Sequence, residues 1–423
     1  MTRFLVYTSP ARGHIYPLVP TLLELQQRGH HVCVRTLSTE VERLRATGLD
    51  AAAIAGAIEA RELDDWKASW PPAALRAACR TFVDRAHHEL DDLRGALQRE
   101  RPDVLFTDIN CWGAAALAEA SGLPWAVFAP YLLPLRAPGI PPWGLGLAPL
   151  PGLLGRLRDG VMWTLVNALY DRSLRGLNGV RAAAGVAPFR HVADFASHPP
   201  RIIAYTAEPF EYARVWPPGV RLVGPGVWEP PTPTERGAPD GRPLVLVTCS
   251  TEFQNDGRLV ETALAALAEE PVRVVATTAS VDPGQFRAPP NARVERFVPH
   301  GPLLAEAACV VCHGGMGITQ KALAAGVPVC VVPFGRDQLE VARHVQVAGA
   351  GTRVSPGALT PERLRRAVRE TMEKKAGALR VAEGYRRAGG ARAAANELES
   401  VAAGTGASAQ RPRVRAPDAR AMA

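Results

Sequence analysis

Two histidines, each directly behind a strand-like run, carry most of the chemistry this sequence can do. His14 lies in Gly13-His14-Ile15-Tyr16-Pro17, after the apolar run Phe4–Thr8 and ahead of a helical pattern over Pro17–Arg28. The partial positive charge of a helix N-terminus disfavours imidazolium and keeps such a histidine able to accept a proton. A histidine base is commonly oriented by a carboxylate on its other ring nitrogen. Asp108 is the candidate, because it closes the apolar run Val104-Leu105-Phe106-Thr107 and an acid there is costly unless paired. Its structural alternative is as N-cap of a helix over Cys111–Ala120.

The second histidine opens His313-Gly314-Gly315-Met316-Gly317-Ile318-Thr319, between the run Cys309–Cys312 and another helical pattern. Three glycines let backbone approach a ligand, and a helix N-terminus offers N–H groups to a phosphate. Downstream, Asp337 and Gln338 follow the next strand and could serve sugar hydroxyls, with Asp337 as helix N-cap the alternative. Ser250 and Thr251 end the first strand of the second half and offer hydroxyls to a phosphate. Phe297-Val298-Pro299-His300 offers an aromatic face and backbone groups to a base. The glycine turn is neither a Walker sequence nor Gly-x-Gly-x-x-Gly, which removes support from mononucleotide triphosphatases and dinucleotide dehydrogenases. The chain contains no Asp-x-Asp, so no metal is expected on a diphosphate.

The elements that must position these groups alternate strand and helix. Strands are expected at His31–Leu37, Asp103–Asp108 and Trp125–Ala129, continuous apolar runs of the kind a parallel sheet buries on both faces. Thr39 and Glu42 have capping-box spacing before a helix over Val41–Thr47. Leu75, Cys79, Phe82, Ala86, Leu90, Leu93 and Leu97 recur at helical spacing. Residues 130–165 break the alternation and are nearly free of charge; they read either as irregular cover or as an apolar wall for an acceptor, with Tyr131, Trp143 and Trp163 as its aromatics. Dense proline from 217 to 243 reads as a semi-stiff linker. Beyond it, strands at Leu244–Cys249, Val272–Thr277, Cys309–Cys312 and Pro328–Val332 alternate with helices at Arg258–Glu269, Ile318–Ala325 and Gln338–Val347. This pattern gives two doubly wound α/β domains facing a cleft: 1–216, then the linker, then 244–380, with a helix at 381–403 and a disordered tail at 404–423.

At 423 residues the chain suits two such domains. Its 47% hydrophobic and 21% charged content is a globular balance without a membrane span. The first strand starts at once, leaving no room for a signal peptide, and the expected location is the cytoplasm. Of the net charge of +8, the tail holds +3, and the rest is scattered without a basic stripe, so nucleic acid is not an expected partner. Cys309-Val-Val-Cys312 has zinc spacing but apolar filling and no second pair, so a buried strand is expected there.

The ordered set Gly13-His14 with Pro17, Asp108, Phe297–His300, His313–Thr319 and Asp337-Gln338 resembles the glycosyltransferase B-fold superfamily. Within it the resemblance is to natural-product and macrolide glycosyltransferases related to the UDP-glycosyltransferases, over roughly residues 1–400. It implies His14 as general base, Asp108 orienting it, and a C-terminal domain binding a UDP- or TDP-sugar, deoxysugars included. It also implies that the last helices, about Pro361–Val401, pack partly back across the N-terminal domain. Lys321 stands where the family often carries a ribose-binding Glu, and Phe297 where its base-stacking Trp is common.

The reading is therefore an inverting, metal-independent glycosyltransferase. It would use a nucleotide-sugar co-substrate and no cofactor, and would modify a hydroxyl of a small apolar natural product; a homodimer is allowed. The alternatives are a sugar-nucleotide epimerase on the same plan and a non-catalytic nucleotide-sugar-binding accessory protein.

Overall fold

The computed structural model describes residues 1–68, 70–230, 241–250 and 256–404. Thr251, residues 231–240 of the proline-rich stretch and the tail from 405 onward lie outside the described residues.

The first sheet is built from β1 (Arg3–Tyr7), β2 (His31–Thr36), β3 (Asp50–Ala53), β4 (Val104–Asp108), β5 (Trp125–Ala129), β6 (Ile202–Ala204) and β7 (Val220–Leu222). They are all parallel, in the order β3-β2-β1-β4-β5-β6-β7. The second comprises β8 (Leu244–Thr248), β9 (Arg273–Thr277), β10 (Ala292–Glu295), β11 (Ala307–Cys312), β12 (Val329–Val331) and β13 (Gly351–Arg353), also parallel, in the order β10-β9-β8-β11-β12-β13. Each sheet is doubly wound and switches direction beside its first strand, at β1/β4 and β8/β11. Ligands of open α/β sheets bind at such switch points, beyond the carboxyl ends of the strands.

Packing explains the continuous apolar runs. Leu5 and Tyr7 of β1 face one core with Leu90 and Leu93, while Phe4 and Val6 face another with Leu22 and Leu25. The helix Pro71–Glu100 begins with proline in its first turn and ends at Arg101, left-handed at φ 45°, with Pro102 behind it. The strands not foreseen, β3, β6, β7, β10 and β13, have only three or four residues each. That is too short for a period, so pairing rather than pattern makes them strands.

Several sequence expectations change. The capping box does not form: helix Val41–Arg45 starts at Glu40, without a side-chain cap. Glu40 is buried and instead accepts from Arg12, Arg43 and, at 2.9 Å, Tyr16. The break at 130–165 is irregular only in its first part, because Gly152–Tyr170 is helical. The proline-rich stretch begins inside the first sheet: Val220–Leu222 is its edge strand β7, the place where neighbouring prolines leave no ladder partner unmet.

The chain crosses back at Gly389, left-handed at φ 88°, rather than at 381. Helix Lys375–Ala388 puts Val381 and Tyr385 into the second domain's core, whereas helix Gly390–Ala402 puts Leu398 and Val401 into the first's. Full burial of a leucine such as Leu398 contributes roughly 1.5–3 kcal/mol, and Glu399 adds contacts to Arg28 at 2.8 Å and His30 at 2.9 Å. The last helix of the chain therefore completes the first domain's core.

Candidate active site

The carboxyl ends of β1 and β4 bring His14 and Asp108 together. His14 Nδ1 lies 2.7 Å from Asp108 Oδ2, although 94 residues separate them in the chain. The same oxygen accepts the Ser9 backbone N–H at 3.1 Å and its hydroxyl at 2.9 Å, and Oδ1 accepts the Asn110 N–H at 2.9 Å. Asp108 is fully buried. Burial works to raise its pKa, but His14 and the Asn110 and Ser9 donors outweigh it and hold the carboxyl below its ordinary value. A carboxylate on Nδ1 fixes the tautomer with its proton there and makes Nε2 the basic nitrogen. The helix-cap alternative is not what the contacts give, since Trp112–Ser121 starts at Cys111 without a side-chain cap. Ser9 carried no motif, and its two donors to Asp108 were missed in the sequence.

Tyr131 packs edge-on to His14, with ring centroids 6.0 Å apart, and Trp143 lies 6.1 Å beyond Tyr131. The Tyr131 hydroxyl donates to Asn110 Oδ1 at 2.7 Å, and burial pushes its pKa well up. Trp143 Nε1 is buried and makes no hydrogen bond among the described residues. Trp163 corrects the expectation of a third aromatic in the wall: it is buried, and its indole N–H donates to the Ile140 carbonyl at 3.3 Å, so it pins the segment.

Across the cleft, His313 follows β11 and Gly314 turns the chain at φ 92°. A Cβ on Gly315 would lie 2.3 Å from His313 Nε2, so the ring occupies the space that glycine leaves. Burial, reinforced by Arg336 and opposed by the Thr248 carbonyl, pushes His313 down to about 4. It is a neutral imidazole at neutral pH. Its Nδ1 makes no hydrogen bond among the described residues and stands 4.0 Å from Asp256 Oδ2, which accepts the Ser250 N–H at 2.7 Å. Helix Met316–Ala324 begins at Gly315 without a side-chain cap, and the N–H groups of its first turn carry partial positive charge.

The remaining donor-side candidates divide. Gly317 is exposed and Ile318 half-buried on the first turn. Met316 and Thr319 are buried, the latter with its hydroxyl 3.8 Å from Cys312 Sγ, so both support the turn from beneath. Phe297 is 51% exposed and available for stacking, while Val298 is core. Asp337 starts helix Gln338–Val347 without capping it by its side chain. Burial raises its pKa, while its own backbone N–H, then Arg336 and then His14 oppose the rise, so the carboxyl lies within electrostatic reach of the histidine. The Gln338 side-chain oxygen accepts the N–H groups of Phe334 at 2.7 Å and Gly335 at 3.1 Å, which shapes the loop and engages the acceptor expected for a sugar.

Two ties between the domains, and one from the linker to the second, had no signature in the sequence. Arg336 makes a two-point ion pair with Asp65, both contacts at 3.1 Å. Buried Glu340 accepts the N–H groups of Gly144 and Gly146, each at 3.1 Å, and so docks the Trp143 loop on helix Gln338–Val347. Glu229, at the end of the described linker, binds Lys321 at 2.9 Å and the Gly301 N–H at 2.9 Å.

The buried neutral state of His313 has a consequence for stability. Its folded pKa of about 4 lies below the ordinary 6.5. The unfolded chain therefore takes up a proton first as pH falls, and stability is lost between about 6.5 and 4. His313→Asn removes the titration. From pH 7 to pH 5, denaturant unfolding is expected to show wild type losing roughly 1–2 kcal/mol more than the variant; equal losses would contradict the assignment.

Among known proteins, residues 261–394 match the family model described as "Erythromycin biosynthesis protein CIII-like, C-terminal domain". The chain is 34% identical over 391 residues to 4'-demethylrebeccamycin synthase of Lentzea aerocolonigenes, covering 88% of this chain and 92% of that protein. The structure of the glycotransferase of kitacinnamycin superposes with a TM-score of 0.75 at 24% identity, covering 95% of this chain and 98% of that one. Glycosyltransferase VinC in complex with dTDP superposes at 0.67 with 22% identity, covering 95% and 99%.

Proposed function

The chain belongs to the glycosyltransferases of antibiotic and natural-product biosynthesis, enzymes of the glycosyltransferase B fold, and from that premise we propose that it moves a sugar from a nucleoside diphosphate to a hydroxyl of a small apolar acceptor, with inversion and without a metal. The observation that carries the proposal is the 2.7 Å contact between His14 Nδ1 and a buried, otherwise satisfied Asp108.

In this reading the acceptor lies against Tyr131 and Trp143. His14 Nε2 removes the acceptor hydroxyl proton as that oxygen bonds the anomeric carbon. The bond from that carbon to the diphosphate breaks on the opposite face, so one displacement inverts the centre. Asp108 stabilises the imidazolium. The departing diphosphate is met by the uncapped start of helix Met316–Ala324 and by neutral His313 as a hydrogen-bond donor. Asp337 holds sugar hydroxyls, and Phe297 stacks on the base. The dTDP bound by VinC, a protein of the same fold, supports a nucleoside diphosphate as the leaving group. A helix dipole and a donor histidine supply charge stabilisation that metal-dependent transferases take from a divalent ion.

Release of nucleoside diphosphate from UDP- and TDP-sugars tests this, measured with and without a panel of hydroxylated apolar acceptors and in excess EDTA. Acceptor-dependent release that survives EDTA is expected. Release that stops in EDTA and returns with magnesium would overturn the metal-free account. Sugar isomerisation without release would replace transfer by epimerisation.

A further inference from the structure

Two carboxylates lie within electrostatic reach of Arg336. One is Asp65, buried in the short turn Asp65–Lys67 of the first domain, ahead of helix Pro71–Glu100. Arg336 donates to it from Nε to Oδ2 and from Nη2 to Oδ1, both at 3.1 Å. The other is Asp337, the next residue in the chain, which responds to the Arg336 charge without being one of its contacts. Among the described residues the Asp337 carboxyl accepts from its own backbone N–H and from no other residue.

Pairing with the nearer carboxylate would be chemically ordinary. Arg158 and Asp159, also adjacent in the chain, meet at 2.8 Å. At Arg336 the backbone and the partner select otherwise. Its φ of 54° is left-handed, which a residue with a side chain uncommonly adopts. Its planar fork is matched on both prongs by Asp65, the geometry in which an arginine and a carboxylate bind most specifically. Gln338, one residue further on, has its oxygen taken up by the loop. Asp337 is therefore the acceptor that the loop leaves open.

We propose that Asp65 is a positioning residue for the donor sugar: it holds the Arg336 fork on the first domain, keeps the guanidinium off Asp337, and so leaves that carboxylate to the sugar hydroxyls. The proposal rests on the reading of Asp337 as the sugar-holding residue. It also links sugar binding to the approach of the two domains, because Asp65 and Arg336 come from opposite sides of the cleft.

Calorimetry on the full-length chain tests it, with UDP against UDP-glucose and TDP against TDP-glucose. Asp65→Asn keeps the shape but gives up the charge that holds the fork. It is expected to weaken the nucleotide sugar by about tenfold or more, the worth of a hydrogen bond to a charged group, while the bare diphosphate binds as in wild type. Adding Arg336→Gln removes the competing fork and is expected to return the nucleotide sugar towards wild-type affinity, a non-additive result. A role confined to tying the domains predicts the reverse, because a second substitution cannot restore a lost ion pair. Equal weakening of both ligands in Asp65→Asn, no weakening of the nucleotide sugar, or no rescue by Arg336→Gln overturns the proposal. Should Asp65→Asn fail to fold, Arg336→Lys decides. One ammonium cannot match both oxygens of Asp65, so the same selective loss is expected, and wild-type affinity there overturns the proposal. Asp337→Asn separates this proposal from the reading beneath it. Nucleotide-sugar affinity unchanged in Asp337→Asn ends both, whereas a loss there without one in Asp65→Asn ends this proposal alone.

Discussion

Replacing His14 by alanine is expected to lower turnover by about 10²- to 10⁴-fold, the usual worth of general-base catalysis, while nucleoside diphosphate affinity stays within about twofold. The division follows from where the groups sit. His14 is held by Asp108 on the first sheet, whereas the uncapped helix start and His313 belong to the second. Affinity is read by calorimetry with UDP and TDP, and turnover by diphosphate release. A matching loss of diphosphate affinity would place His14 in the donor site and remove its role as base.

The second large effect is expected at a glycine. Gly315→Ala puts a Cβ 2.3 Å from His313 Nε2, in a ring that is itself buried, so one of the two must shift. The imidazole must leave its place beside the helix start. A hydrogen bond to a charged group is worth about 1.5–3 kcal/mol, so diphosphate affinity should fall by about 10- to 150-fold. His313→Ala should give a similar loss, and the two together should add little, because both remove the same donor. An affinity equal to wild type in Gly315→Ala would mean that His313 does not touch the diphosphate. Gly317→Ala is the control: a Cβ there meets nothing within 4 Å.

These positions were legible in the sequence because each follows an unbroken apolar run. A strand buried on both faces declares itself, and the polar residue that ends it stands out. The pairing of His14 with Asp108 was legible as chemistry, but its support was not. Ser9 is an ordinary serine whose meaning comes from β1 and β4 being neighbours, which the chain does not state locally. Gln338 and Trp163 carry a structural role that residue type alone does not show. Their types suit sugar and acceptor, but the backbone around them needs their polar atoms.

The domain ties were invisible. Arg336 meets Asp65 across 271 residues and Glu340 meets Gly144 across 196, with no period to announce either. The capping box at Thr39 and Glu42 failed because Glu40 between them is drawn inward by Arg12, Arg43 and Tyr16, which moves the helix start.

The account rests most heavily on His14 and Asp108 acting as one unit, and a double-mutant cycle tests that directly. Turnover is measured with one donor and one acceptor for wild type, His14→Ala, Asp108→Asn and the double variant. Asp108→Asn keeps the shape and removes the charge that orients the ring and stabilises the imidazolium, so it should lower turnover by itself. Groups that act as a unit are strongly non-additive. The double variant is therefore expected to be scarcely slower than His14→Ala alone. If the two losses multiply instead, or Asp108→Asn turns over like wild type and only melts earlier, Asp108 is a structural carboxylate and the dyad is not the base.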